Sequence, residues 1–342
     1  MFIKQNKFCI KIYSAKLKLP IIISPLFGFY LVLITAIIML ISSNSSFIMW
    51  LCLEINILAF LPIISSEPGI AFENTIKYFI IQRCASIIFL FGVIFCLLIR
   101  NKFIIMKRLA IFVKLGASPF HGWFISILKR CSIWVLFLLS TIQKILPLLI
   151  IINIINLYRW LLFITLITIA VIFYRVPGAV TLNKVLGLSS MANLVWLLFR
   201  VHLSVKLILR FIFIYIILLL GIVFSTNTRN NTSLFQIEGL DNFSKIIFIF
   251  MFLSLGSLPP LLGFLIKLLV LKSMIFITGI PVIIVLVFTS LIILYTYISR
   301  FFYYIRIAPS VKLTVKTGQL KSTKLIFLTS VFSFNLLMSF SI

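Results

Sequence analysis

Long apolar runs, each about the length of a membrane-spanning helix, dominate this sequence. A helix needs about 20 apolar residues to cross the hydrocarbon core of a bilayer, and about eleven stretches approach that length. Their limits are 20–41, 47–65, 76–99, 103–128, 132–153, 159–174, 185–200, 206–224, 244–272, 279–302 and 324–341. The chain is 63% hydrophobic, more than a soluble domain of 342 residues can bury. Because the runs lack the strict alternation of barrel strands, the sequence predicts an all-α polytopic membrane protein.

The same pattern divides the chain into three parts. A lysine-rich N-terminal extension covers 1–19, a transmembrane domain covers 20–302, and a loop with a terminal transmembrane helix covers 303–342. The longest polar connections are too short to form a hydrophobic core of their own. We therefore expect no soluble domain between the helices.

The charge of the chain is strongly basic, with 31 Lys and Arg against 5 Asp and Glu, a net charge of +26. These basic residues are scattered over loops and helix ends, so the sequence disfavours a nucleic-acid partner. Anionic lipid headgroups and topology signals account for them better. If the spans alternate, the side that holds the N-terminus carries more Lys and Arg than the other side. The positive-inside rule then places the N-terminus inside.

Among the charged residues within or against the apolar runs, Glu54, Lys114, Lys144 and Lys267 are the candidates for a functional role. A charge near the centre of a bilayer costs about 2.5–3.5 kcal/mol on insertion scales, and it usually faces the bundle interior and marks an ion or proton path. One carboxylate and three amines on different helices are chemical groups from which a proton relay can be built. For each lysine the alternative is snorkelling, in which the long stem carries the amine to the interface. For Glu54 the alternative is a structural ion pair.

His121 lies just after Pro119 in the fourth run. It can relay protons, or it can bond carbonyl groups that the proline leaves free. The sequence leaves both interpretations open.

A short motif recurs in the two longest runs. Residues 115–123 read LGASPFHGW, and residues 255–264 read LGSLPPLLGF. Gly and Pro within a span break or kink the helix, which hydrocarbon tolerates only where protein or water bonds the freed backbone groups. The two motifs lie five helices apart, a spacing that predicts two inverted five-helix repeats with helices 4 and 9 broken. The alternative is a pair of unrelated proline kinks.

Six segments in a fixed order resemble a known family. They are EIN at 54–56, IKYFIIQRCAS at 76–86, VKLGASPFHGWF at 113–124, QKILPL at 143–148, LSS at 188–190 with Trp196, and LSLGSLPPLLGFLIK at 253–267. Over about residues 25–300 the chain resembles the NADH dehydrogenase subunit 2 family of mitochondrial respiratory complex I, of the eleven-helix animal type. Departures from the family pattern include Gly122, Asn193 and Leu268. None of them falls on the four charged positions.

The resemblance implies an antiporter-like, proton-translocating subunit of the membrane arm, in the mitochondrial inner membrane with its N-terminus toward the matrix. It implies that Glu54, Lys114, Lys144 and Lys267 form the proton path, with His121 as a further relay candidate. It also implies partner subunits of complex I that carry NADH, FMN, iron–sulfur clusters and ubiquinone. Lipids are implied partners too, with cardiolipin as a candidate.

The sequence itself offers no cofactor site. No dinucleotide, phosphate-loop, CxxC or haem-type motif is present, and the five cysteines are expected to be packed thiols rather than metal ligands or disulfides. Two other functions remain compatible with the residues. One is a stand-alone cation/proton antiporter of the same ancestry that uses the same lysines, and the other is a structural membrane scaffold.

Overall fold

The computed structural model describes residues 26–66, 72–98, 104–129, 131–154, 158–176, 178–179, 181–200, 205–226, 242–259, 261–274 and 280–307. Within these residues the regular structure is helical, so the predicted all-α class is confirmed there. The helices are α1 Phe27–Ser42, α2 Ser46–Ser65, α3 Phe72–Leu98, α4 Ile104–Leu115, α5 Gly122–Leu128, α6 Ile133–Ser140, α7 Ile142–Ile154, α8 Tyr158–Arg175, α9 Leu182–Arg200, α10 Val205–Thr226, α11 Asn242–Leu255, α12 Leu262–Met274 and α13 Ile280–Ile307.

Among the described residues, six helical stretches are long and apolar enough to cross a membrane by length and composition. They are Ser46–Ser65, Phe72–Leu98, Ile133–Asn153, Leu182–Phe199, Leu207–Thr226 and Val282–Arg300. The predicted N-terminal extension 1–19 and the predicted terminal span 324–341 lie outside the described residues.

Helix α9 is the centre of the bundle. It packs against α5, α6, α8, α10, α12 and α13, and 94% of its spanning stretch is buried. A helix that is covered on all sides by protein can carry polar side chains without exposing them to lipid. Ser189, Ser190 and Asn193 are polar residues of α9, and all three are buried.

Helices α3 and α4 form a tight antiparallel pair on one side of the bundle. They lie close together at Gly92, where an added Cβ would lie 2.9 Å from Cγ of Lys107 and 3.0 Å from its backbone nitrogen. Helix α3 also packs on α2, and α7 packs on both α2 and α4. These four helices form part of the wall of one buried cavity.

The fourth predicted span, 103–128, is divided into α4 and α5, and the ninth, 244–272, into α11 and α12. The ends of α4 and α11 make the same backbone contacts. The amides of Gly116 and Ser257 each donate to the carbonyl three residues earlier, at 3.1 and 3.0 Å. The amides of Ala117 and Leu258 each donate to the carbonyl five residues earlier, at 3.1 and 3.4 Å. This pair of bonds is the Schellman motif, which requires a residue with positive φ.

One predicted boundary is wrong. Helix α3 begins at Phe72 rather than at 76, so Glu73 lies in its first turn and pairs with Lys77 instead of lying in a connection. The fifth predicted span, 132–153, agrees with the stretch Ile133–Asn153. Thr141, with φ of −115° and ψ of −79°, divides that stretch into α6 and α7. The hydroxyl of Thr141 donates to the carbonyl of Phe137 at 2.6 Å. A side-chain bond to a carbonyl in the preceding turn is one recognised cause of a helix bend.

Candidate functional site

Glu54 lies on α2 and is bonded at both carboxylate oxygens. Its Oε2 accepts from Nη1 of Arg83, and its Oε1 accepts from the hydroxyl of Ser86, both on α3. The carboxylate side chain is 10% exposed and that of Arg83 is 37% exposed. The cation bonded to Glu54 is therefore Arg83, and among the described residues Lys114 makes no direct bond to Glu54.

Lys114 lies in the last turn of α4 with 5% of its surface exposed. Its Nζ has no hydrogen-bond partner among the residues that the structure describes. Its carbonyl accepts a long bond of 3.5 Å from the side-chain amide of Gln82. Glu54 and Arg83 both lie near enough to act on this amine electrostatically, and their charges act in opposite senses. Lys114 is thus under the influence of the ion pair without belonging to it.

Lys114 and Lys144 line the same small cavity among α2, α3, α4, α5, α6 and α7. The cavity has room for about one water molecule. Its polar lining comes from Asn56, Gln82 and Gln143 in addition to the two lysines, with Tyr78 beside them. A water held between two amines can pass a proton from one to the other.

A buried amide pair forms one wall of this cavity. The Asn56 amide nitrogen donates to Oε1 of Gln143 at 2.7 Å, and the Gln143 amide nitrogen donates back to Oδ1 of Asn56 at 3.3 Å. The hydroxyl of Tyr78 also donates to Oε1 of Gln143, at 3.2 Å. These bonds join α2, α3 and α7, so they fix the register of the three helices that carry Glu54, Arg83 and Lys144.

Lys144 lies in the first turn of α7 and is 5% exposed. Its Nζ donates to the backbone carbonyl of Ser190 on α9 at 2.9 Å and lies 4.9 Å from the centre of the Phe124 ring. The carbonyl dipole and the ring face both favour a cation at this place. The amine therefore points toward the bundle centre, and the snorkelling interpretation does not describe it.

Polar side chains continue beyond Lys144 around α9. The hydroxyl of Tyr215 on α10 lies against Ser140, Ser190 and Asn193. Tyr297 on α13 lies close to Tyr215 and against Ser189. The group extends the polar interior of the bundle from α7 toward α13.

Lys267 lies on α12 and is 6% exposed. Its Nζ stands 5.6 Å from the centre of the Trp196 ring on α9. Trp is the aromatic side chain that attracts a cation most strongly through its face. This amine too is directed into the bundle rather than to the interface.

His121 lies at the end of the first break, before α5, and is 8% exposed. Its Nδ1 contacts the hydroxyl of Ser118 at 3.3 Å and the carbonyl of Pro119 at 3.1 Å. Its Nε2 is buried without a hydrogen-bond partner in the described residues. One ring nitrogen thus bonds the carbonyl at the break, and His121 does not line the cavity between Lys114 and Lys144.

The sequence-based analysis missed Arg83, Ser86, Tyr78 and the roles of Asn56 and Gln143. Arg83 could have been found, because it is a charged residue inside the predicted span 76–99, the criterion that selected Lys114. The amide pair carries no comparable signal, since an Asn or Gln in an apolar run is compatible with many partners. Among the described residues, no group of three or more His, Cys, Asp or Glu side chains is placed to hold a metal ion.

The family described as NADH:quinone oxidoreductase/Mrp antiporter, TM, matches residues 102–293. The NADH-ubiquinone oxidoreductase chain 2 of Artemia franciscana is 33% identical over 245 residues, which cover 70% of this chain and 77% of that protein. The chain belongs to the NADH-ubiquinone oxidoreductase chain 2 family. The resemblance drawn from the six sequence segments is thereby confirmed.

Solved structures share the fold at much lower identity. A chain of the respiratory complex I from Thermus thermophilus with bound aureothin matches with a TM-score of 0.78 at 17% identity, over 91% of this chain and 78% of that chain. A chain of the Mrp complex from Dietzia sp. matches with a TM-score of 0.70 at 17% identity, over 80% of this chain and 59% of that chain. The helical bundle is therefore a membrane antiporter-like fold.

Proposed function

We propose that this chain is a proton-translocating subunit of NADH:ubiquinone oxidoreductase in the mitochondrial inner membrane. The observation that carries the proposal is the burial of three amines, on α4, α7 and α12, inside a bundle of membrane-type helices. Lys114, Lys144 and Lys267 are exposed by only 5%, 5% and 6%. The relationship to the NADH-ubiquinone oxidoreductase chain 2 of Artemia franciscana supports the assignment to this enzyme.

The first half of the relay runs from Lys114 to Lys144. A lysine can release a proton when burial and neighbouring charge weaken its cationic form, whereas an arginine stays protonated. A protonated Lys114 passes one proton to the water in the shared cavity, and that water passes one to an uncharged Lys144. The Asn56–Gln143 pair holds the cavity wall in place during this transfer.

The second half of the relay runs from Lys144 to Lys267. Lys144 already reaches α9 through the carbonyl of Ser190, and the hydroxyls around Tyr215 continue from there. Hydroxyl groups donate and accept hydrogen bonds at once, so they can align waters for proton movement. Lys267 receives the proton beside Trp196. His121 stays a weaker candidate for a relay, because it contacts Ser118 and the carbonyl of Pro119 at the break and does not line the cavity.

The redox chemistry belongs to other subunits in this proposal. NADH, FMN, the iron–sulfur clusters and ubiquinone are held by partners, and quinone reduction there changes the electrostatic field along the membrane arm. The change reaches this chain at Glu54, whose pairing then alters the hold of Lys114 on its proton. Contacts with neighbouring membrane-arm subunits and with lipids such as cardiolipin belong to the same proposal.

The full topology that we propose has eleven transmembrane helices, with two inverted five-helix repeats, helices 4 and 9 broken, and the N-terminus toward the matrix. The matching backbone bonds at the ends of α4 and α11 support the repeat. A third shared bond supports it further, because the amides of Phe120 and Leu261 each donate to the carbonyl three residues earlier at 2.8 Å. Broken helices of this kind place binding sites near the bilayer midplane in many transporters.

A stand-alone cation/proton antiporter is the second candidate, favoured by the likeness to the Mrp complex of Dietzia sp.. Purification separates the two functions. A subunit of the respiratory enzyme co-purifies with NADH dehydrogenase activity in one large assembly, whereas a stand-alone antiporter purifies without it.

The proposal is tested by proton pumping coupled to NADH oxidation in membranes that carry Lys144→Ala. We expect the variant to assemble and to pump far fewer protons per NADH oxidised. Lys129→Ala is the matched control, because Lys129 is an exposed residue at the C-terminal end of α5. Assembled Lys144→Ala complexes that pump normally would contradict the relay.

A further inference from the structure

Arg83 is a charged side chain that the relay itself does not use. It lies well inside α3, with eleven residues before it in a helix of 27. An arginine at such a depth costs several kcal/mol on insertion scales unless it is paired. Two contacts hold it in place, the bond to Oε2 of Glu54 and the ring of Phe79, whose centre is 5.5 Å from the guanidinium carbon.

The arrangement leaves one carboxylate between two cations. Glu54 is bonded to Arg83 and Ser86, while the amine of Lys114 has no hydrogen-bond partner in the described region. Each carboxylate oxygen already accepts one bond, and the ion pair with Arg83 neutralises much of the negative charge that Glu54 would otherwise present to Lys114. Among the described residues that line the cavity with Lys114, the other titratable groups are the amine of Lys144 on α7 and the phenol of Tyr78 on α3.

We propose that Arg83 is a positioning residue that competes with Lys114 for Glu54 and thereby sets how firmly Lys114 holds its proton. The inference rests on the proposed function, in which Lys114 gives up a proton to Lys144. While Arg83 is bonded to Glu54, Lys114 faces a neutralised carboxylate and releases its proton readily. When Arg83 turns away, the free carboxylate holds the proton on Lys114.

An arginine can influence the relay through its charge and position, but it cannot carry a proton within the relay. A guanidinium stays protonated at every working pH, so Arg83 cannot carry the transferred proton and can act only by its position. Its side chain is 37% exposed, whereas that of Glu54 is 10% exposed. Arg83 is therefore the member of the pair with room to move outward, at the surface of α3.

The test is the pH profile of NADH-coupled proton pumping in the assembled complex that carries Arg83→Gln. Removing the competing cation strengthens the hold of Lys114 on its proton. The alkaline limb of the profile should therefore move to higher pH, by about one unit, the lower end of the effect of one close charge. Lys77→Gln is the control, because Lys77 is a paired cation on the same helix that is 48% exposed. We expect that control to keep the wild-type profile.

Arg83→Lys covers the case in which Arg83→Gln does not assemble. A lysine keeps the charge but holds a carboxylate through a single flexible head rather than a planar fork. Its profile should shift in the same direction by less than that of Arg83→Gln. An unchanged profile in any assembled Arg83 variant overturns the inference, because a purely structural role would alter the amount of complex and not its pH dependence.

A parallel Lys114→Met variant separates this inference from the proposed function. If Lys114→Met assembles and pumps normally, the relay itself is wrong. If Lys114→Met stops pumping while Arg83→Gln leaves the profile unchanged, the relay stands and the role of Arg83 is wrong.

Discussion

Gly116 and Ser257 occupy the same position of the same helix-end motif, one in each broken run. Their φ angles are +67° and +65°, and their amides bond the carbonyl three residues back in each case. The repeated motif in the sequence aligns Gly116 with Gly256, one residue away from the structural match. Backbone geometry, and not the position of glycine, defines the correspondence.

Ser257→Gly is therefore expected to stabilise the protein. A residue with a Cβ loses about 1–2 kcal/mol in the left-handed region, and part of this gain is offset by the greater freedom of glycine in the unfolded chain. The hydroxyl of Ser257 is also buried without a partner in the described residues. A net gain of about 0.5–1 kcal/mol should appear as a higher unfolding temperature of the purified complex.

Gly116→Ser is the reciprocal change and should destabilise the first break. It introduces the same backbone cost of about 1–2 kcal/mol, and its Cβ would lie 3.1 Å from Cβ of Phe124. Thermal unfolding measured beside Ser257→Gly checks both. Equal unfolding temperatures for the two variants would argue against the structural equivalence.

Gln143→Leu should weaken the packing of α2, α3 and α7. The change removes the partner of Asn56 and of the Tyr78 hydroxyl, and each buried group left unpaired costs about 1–3 kcal/mol. Adding Asn56→Leu should recover part of the loss, because replacing both partners of a buried bond is nearly neutral. A double variant less stable than Gln143→Leu alone would show that the pair does not act as described.

Lys144→Arg should stop pumping although it preserves the positive charge. An arginine does not release its proton under working conditions, so the relay loses its middle step. NADH-driven proton uptake in assembled complexes provides the measurement. Pumping at the wild-type rate would mean that the charge of Lys144, and not its ability to exchange a proton, is what matters.

Tyr215→Phe should slow pumping with little effect on assembly. It removes the hydroxyl that lies against Ser140, Ser190 and Asn193 but keeps the ring and its packing. Tyr295→Phe is the control, because Tyr295 is 71% exposed on α13. If both variants pump equally well, protons reach Lys267 by a route that avoids Tyr215.

The sequence predicts the burial of the three lysines because a cation in a membrane-spanning helix is costly unless it faces the bundle interior. A charge in an apolar run must turn inward, and Lys114, Lys144 and Lys267 are all buried. Periodicity cannot say which cation meets Glu54. The answer depends on how α3 is rotated against α2, and side-chain packing sets this rotation. The observed rotation brings Arg83, rather than Lys114, to the carboxylate.

The interruption at Thr141 escaped sequence analysis for a related reason. Neither glycine nor proline stands at 140–142, whereas Pro147 lies inside α7 without ending it. At Thr141 the interruption is marked by a hydrogen bond from its hydroxyl to the carbonyl of Phe137 in the preceding turn, and not by glycine or proline. The breaks after α4 and α11 carry glycine and proline, which is why 115–123 and 255–264 are visible in the sequence.

The partner of Lys144 on α9 is a main-chain oxygen, the carbonyl of Ser190. Every residue type at position 190 carries this carbonyl, so no substitution there can remove the acceptor itself. What would displace it is a rotation or slide of α9 as a whole. The central amine is thus tied to the geometry of a helix, which makes it tolerant of sequence drift and sensitive to movement.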